Sequence, residues 1–78
     1  MDNYHFLLEV RDSDGFVTKR RISHSLDAIE DWIEQNAQKW ALPPVKVEHD
    51  GYGGGKVYVT YDPDCVIFTY SATNIDII

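Results

Sequence analysis

Apolar residues recur at helical spacing in one stretch of this chain, between Ser25 and the Pro43-Pro44 pair, and alternate with polar residues on either side of it. Leu26, Ile29, Ile33, Ala37 and Trp40 fall at i, i+3, i+7, i+11 and i+14, and Ala28 and Trp32 widen the stripe. Ser25 is a good N-cap, and Asp27, Glu30 and Asp31 occupy the first two turns, where the helix dipole favours negative charge. Pro43-Pro44 stops the helix, and Leu42, preceding a proline, is pushed toward an extended conformation. A helix of about 16 residues spans roughly 24 Å, enough to cross the face of a small sheet. A single helix of this kind has to bury its stripe against whatever the flanking segments form.

Those segments have the period of strands. Tyr4, Phe6, Leu8 and Val10 lie on one side of the first and His5, Leu7, Glu9 and Arg11 on the other. Asp12-Ser13-Asp14-Gly15 reads as a turn, since Asp and Ser hydrogen-bond their own backbone and Gly accepts a positive φ. Phe16 to Ile22 returns as the second strand. A three-residue loop places Asp12 opposite Phe16, and the register then sets Val10 against Thr18, Phe6 against Ile22 and Glu9 against Lys19. The last pair is of opposite charge, worth ~0.2–1 kcal/mol. The same register puts Arg20 on the apolar face opposite Leu8. A buried, unpaired guanidinium is very costly, so Arg20 is expected to reach an acid or the solvent at the sheet's rim, or to anchor a partner's carboxylate.

After the helix, Val45 and Val47 alternate with Lys46 and Glu48, and Asp50-Gly51-Tyr52-Gly53-Gly54-Gly55 makes a glycine-rich loop. Lys56 to Tyr61 alternates again. Asp62-Pro63-Asp64 is expected to turn the chain into Cys65–Tyr70, which is apolar on both faces and so reads as a central or doubly covered strand. Asn74-Ile75-Asp76-Ile77-Ile78 is expected to add an edge strand or stay mobile. The sum is an α+β fold, one domain over residues 1–78, with element order β-β-α-β-β-β. One mainly antiparallel sheet carries the helix packed on one face. This order resembles the β-grasp layout of ubiquitin-like proteins.

Composition narrows the function. The 78 residues carry 7 Lys and Arg against 13 Asp and Glu, a formal charge of −6. That argues against wrapping a nucleic-acid backbone or an anionic membrane, because both need a basic surface. One cysteine cannot form an internal disulfide, which suits a reducing compartment. No stretch has the apolar length of a signal peptide, roughly 7–15 residues, or of a membrane span, about 20. The expected location is the cytoplasm.

The familiar chemistries find little support. Gly53-Gly54-Gly55-Lys56 runs into a strand pattern at Val57 rather than a helix, so a phosphate-binding loop is not expected and a flexible hairpin loop is. His5, His24 and His49 are scattered, without the converging ligands that zinc needs. Cys65 follows Asp62 and Asp64, whose charge raises a thiol's pKa, and it is expected as a small buried hydrophobe. Asp62 and Asp64 flank Pro63 as turn residues. No cofactor, metal or catalytic residue is assigned, and the expected protein is not an enzyme.

The placement of acids is the most informative feature. Asp27, Glu30, Asp31 and Glu34 are expected to share the solvent side of the helix, and Tyr52 to stand at the tip of the glycine-rich loop as a contact residue, with Tyr58 and Tyr70 also exposed. Such a surface suits docking on a basic one, where complementary potentials speed association and set specificity. Compact, acidic, cysteine-poor chains without a catalytic constellation resemble the small inhibitors that phages encode against host defences, the anti-CRISPR proteins among them. Antitoxins and immunity proteins that plug basic nucleases are similar. The likeness lies in size, charge and layout, and no site residue is carried over from it. It implies stoichiometric binding, as monomer or weak homodimer in the host cytoplasm, that blocks a nucleic-acid-binding or catalytic surface of a protein partner such as a CRISPR effector or nuclease. The alternative expectation is a small assembly subunit that self-associates through edge strands and the Asn74–Ile78 tail.

Overall fold

A computed structural model describes residues 4–76. The elements are β1 (Tyr4–Asp12), β2 (Val17–Ser23), α1 (Leu26–Trp40), β3 (Val45–His49), β4 (Gly54–Val59) and β5 (Asp62–Asp76). The strands form one sheet in the order β2-β1-β5-β4-β3, and every neighbouring pair is antiparallel, β1 with β5 included. Since α1 joins the two edge strands, it must cross the whole sheet, and it covers one face. Ile29, Ile33 and Ala37 of its stripe are buried against Leu8, Val10, Val57 and Tyr70. Leu26, Trp32 and Trp40 pack at the margin of this core.

The helix ends as its sequence dictates. The Ser25 hydroxyl accepts from the Ala28 amide at 3.1 Å, capping the first turn. Ala41 is extended, ahead of the two prolines. Gln38 then fastens the Pro-Pro segment: its Nε2 donates to the Pro43 carbonyl at 3.0 Å and its Oε1 accepts from the Val45 amide at 2.9 Å.

The first hairpin departs from the expected register. Its loop is as anticipated, with Gly15 at φ 88°, the Asp12 amide donating to the Phe16 carbonyl at 2.9 Å, and Asp12 Oδ1 accepting from the Asp14 and Phe16 amides. The pairing then runs Arg11 with Val17 but Val10 with Lys19, so Thr18 is an extra residue, a β-bulge. A slip of one residue exchanges the faces of the rest of the strand. The expected pairs Val10–Thr18, Phe6–Ile22, Glu9–Lys19 and Leu8–Arg20 are replaced by Val10–Lys19, Leu7–Ile22, Glu9–Arg20 and Leu8–Arg21. Arg20 thereby leaves the core side for the open face, where its Nε lies 3.0 Å from Glu9 Oε2. Lys19 and Arg21 turn to the helix side, above the rings of Trp40 and Trp32 at 4.9 and 4.8 Å from the centroids. The bulge resolves the conflict between apolar alternation and three consecutive cations by giving each charge an acid or an aromatic face.

The last strand is longer than anticipated. The chain turns at Thr60-Tyr61, and Asp62-Pro63-Asp64 already belong to β5. Cys65 is exposed rather than buried, because Ile67 is unpaired between the Val57–Phe68 and Tyr58–Val66 pairs and the ladder is irregular toward Asp62. Asn74, Ile75 and Asp76 do not add a separate strand: they continue β5 beside β1, beyond the Gly54–Ser71 pair where β4 stops, so among the described residues this stretch pairs on one side only. Ile77 and Ile78 lie outside the described residues. The Ile33→Ala variant, which removes a side chain only 1% exposed, is expected to lose about 2–5 kcal/mol in urea unfolding. The cap variant Ser25→Ala is expected to lose about 1 kcal/mol.

Candidate functional site

The anticipated acidic surface divides in two. Asp27 and Asp31 are exposed on the solvent side of α1. Glu30 and Glu34 lean toward β3, where Glu34 Oε1 lies 3.1 Å from His49 Nε2 and Glu30 Oε2 lies 4.0 Å from His49 Nδ1. Glu34 keeps more than half its side chain exposed and Glu30 about a third, at 58% and 34%. Glu34 therefore contributes to both the outer surface and the contact with β3. The four acids do not form one uniform solvent face.

Tyr52 stands where the sequence placed it, at the tip of the β3–β4 loop and 91% exposed. The loop beneath it is tied down, in contrast to the expected flexible hairpin. Asp50 Oδ1 accepts from the amides of Tyr52 at 2.6 Å and Gly54 at 3.0 Å, and the Gly53 carbonyl accepts from the Ala72 amide. These two amides hold the Asp50 carboxyl below the usual carboxylate range. Gly53 is buried, and a Cβ there would sit 3.4 Å from Leu26 Cδ2. The loop that carries Tyr52 is thus seated against the first turn of α1, next to the acids.

The residue that joins these parts is Tyr70. It was expected to be exposed, but it is 4% exposed and belongs to the core. Its register partner on β4 is Gly55, and the missing side chain there is what admits the ring. A Cβ on Gly55 would come within 2.5 Å of Tyr70 Cε1 and would collide with the Glu48 carbonyl. Lying over the glycine, the ring reaches His49, whose Nδ1 is hydrogen-bonded to the Tyr70 hydroxyl. Burial, and then the charges of Glu30, Asp50 and Glu34, push the Tyr70 pKa up to about 12. The phenol therefore stays protonated at neutral pH. His49 has a partner at each ring nitrogen, the Tyr70 hydroxyl at Nδ1 and Glu34 Oε1 at Nε2, and its tautomer sets which of them donates. A tyrosine held neutral and a histidine engaged at both nitrogens fix the third strand, the loop and the helix relative to one another. Sequence reasoning missed both residues because the Gly55–Tyr70 pairing depends on strand order.

Among the described residues, no group of three or more His, Cys, Asp or Glu side chains is arranged to hold a metal ion, and no helix is long and apolar enough to cross a membrane. An open depression of about 470 Å³ lies over Gly54 and Gly55, with Glu48, Asp50, Lys56 and Ser71 around it. Compared with protein-family models, with curated proteins and with solved structures, the chain finds no significant match in any of the three.

The raised pKa has a definite sign in stability. A phenol that ionises near 12 when folded and near 10 when unfolded stabilises the fold fully below pH 10, and that contribution is lost as pH rises toward 12. Urea unfolding is expected to show a loss of about 1 kcal/mol between pH 9.5 and 11 that the Tyr70→Phe variant lacks. Gly55→Ala is expected to cost ~3 kcal/mol or more at neutral pH through overpacking against the same ring and the Glu48 carbonyl, read by the shift in urea midpoint.

Proposed function

We propose that this chain is a non-enzymatic binding protein whose acidic α1 surface docks on a basic, nucleic-acid-binding surface of a partner protein. The observation that carries the reading is a helix with Asp27, Asp31 and Glu34 exposed whose first turn, at Leu26, abuts the tied-down loop that presents Tyr52. The acids supply long-range attraction and orientation, which raise the association rate and select a cationic partner. Tyr52 supplies what charge alone does not, a large amphipathic side chain that gives up little conformational freedom because its backbone is already fixed. Glu30 plays a secondary part, bracing His49 from beneath rather than meeting the partner.

This is how a stoichiometric inhibitor of the phage-encoded kind would work. The bound acidic face occupies the groove of a CRISPR effector or nuclease and excludes nucleic acid from it, in the host cytoplasm. No cofactor or catalytic residue takes part. The second reading, an assembly subunit that self-associates through sheet edges, draws its support from β2 and β3 and from Asn74–Asp76, which among the described residues pair with β1 alone.

The test is retention of a basic nucleic-acid-binding protein from lysate at low salt and at ~0.5 M salt, where surface charges are strongly screened. Retention is expected to fall in salt. It is also expected to drop about tenfold in the double variant Asp27→Lys, Asp31→Lys and in Tyr52→Ala, each shown to be folded by circular dichroism. Equal retention by wild type and both variants would sink the proposal.

A further inference from the structure

The edge opposite the acidic loop has a different character. β2 pairs only with β1 among the described residues, and it carries Lys19, Arg20 and Arg21 in succession. Cations on an edge strand also serve to keep sheets from joining. Here, however, they do not project along the strand's outer side. Lys19 and Arg21 lie above tryptophan rings on the helix side, and Arg20 meets Glu9 on the open face. The backbone edge between them is flanked by positive charge above and below.

Beside this edge the core is not closed. Helix α1 packs more closely along β3 than along β2, and the gap on the β2 side is a crevice of about 150 Å³. Leu8, Ala28, Ile29 and Trp32 make its apolar walls, with Arg21 and Ser23 among its lining residues. Small-molecule sites run to roughly 300–1,000 Å³, so this crevice is sized for one side chain rather than for a ligand. An incoming strand places alternate side chains on one face of the sheet, which is the geometry needed to drop one residue into the crevice beside Ser23 and set the next two residues of that face against Arg21 and then Lys19.

We infer that β2 is a docking edge for an extended acidic peptide of a partner protein, which adds to the sheet as a sixth strand, inserts one aliphatic side chain between Leu8, Ile29 and Trp32, and pairs its carboxylates with Lys19 and Arg21. The other edge does not offer this. β3 carries Lys46 and Glu48, and its helix side is occupied by His49 with Glu30 and Glu34. Charge thus selects β2 for an acidic strand, at a surface separate from the one proposed to meet a basic partner.

The experiment uses the full chain, ¹⁵N-labelled, titrated at ~50 mM salt with two capped peptides, Thr-Glu-Thr-Glu-Thr-Leu-Thr for parallel and Thr-Leu-Thr-Glu-Thr-Glu-Thr for antiparallel addition, whose faces set Leu beside Ser23 and the two Glu against Arg21 and Lys19; at least one of the two is expected to bind. Saturable shift changes are expected at Lys19–Ser23 and at the Trp32 indole. Binding is expected to weaken at least ~10-fold for Arg21→Glu, for the peptide with Lys in place of Glu, and for the peptide N-methylated at alternate backbone amides. The two peptide controls keep the test decisive if Arg21→Glu does not fold. Shift changes centred on Val45–His49, equal binding of the N-methylated or Lys-containing peptide, or no binding of either peptide at millimolar concentration would each overturn the inference.

Discussion

A five-stranded sheet with a single helix can bury only one of its two faces, and most of the structure follows from that limit. The covered face takes Leu8, Val10, Val57 and Tyr70 together with the helix stripe Ile29, Ile33 and Ala37. The open face therefore has to be compatible with water. It is built from register partners such as Glu9, Arg20 and Ser71, or Glu48, Lys56 and Thr69, with Ile22 left 60% exposed at its border. Because α1 spans from one edge strand to the other, it also decides how each edge is finished. On β3 it brings Glu30 and Glu34 to His49. On β2 it leaves a gap that Trp32 and Arg21 only partly close.

That division organises charge more sharply than the net value of −6 suggests. Most of the cations are spoken for locally: Arg11 and Arg20 by Glu9, Lys19 by Trp40 and Arg21 by Trp32. The Arg20 guanidinium, first among the causes, holds the Glu9 carboxyl below its usual range. Among the described residues, Asp27 and Asp31 on the outer side of α1 make no ion pair, and Glu34 meets His49. A molecule acidic overall thus presents one surface where negative charge is unopposed and one edge where positive charge brackets an unpaired strand. Net charge describes the steering field at long range; the side chains that meet a partner are set by the local arrangement.

The element order, the helix and its cap, the first loop and the exposure of Tyr52 were legible in the sequence. Each rests on local rules: the period of apolar residues, the hydrogen-bonding habit of Ser25 and Asp12, and the lack of a backbone donor in Pro43 and Pro44. The failures cluster where one strand meets another. Nothing local marks Thr18 as an extra residue, since the slip only becomes favourable once Trp32, Trp40 and Glu9 are in place to receive Arg21, Lys19 and Arg20. Tyr70 looked like any tyrosine on an apolar strand. Its burial depends on Gly55 standing directly opposite, and that pairing is a property of the β4–β5 register.

Alternation and helical spacing, being encoded within a few residues, determined by themselves that this chain makes an α+β domain with one helix across one sheet. Partner choice between strands was left to the tertiary structure. It bore out the central place that the doubly apolar Cys65–Tyr70 stretch implied, but it set which strands flank β5, brought Glu30 and Glu34 to His49, and turned a run of three cations to opposite faces. The physical reason is that a strand's faces are interchangeable by a shift of one residue, so only the contacts made across the sheet and with the helix choose between them.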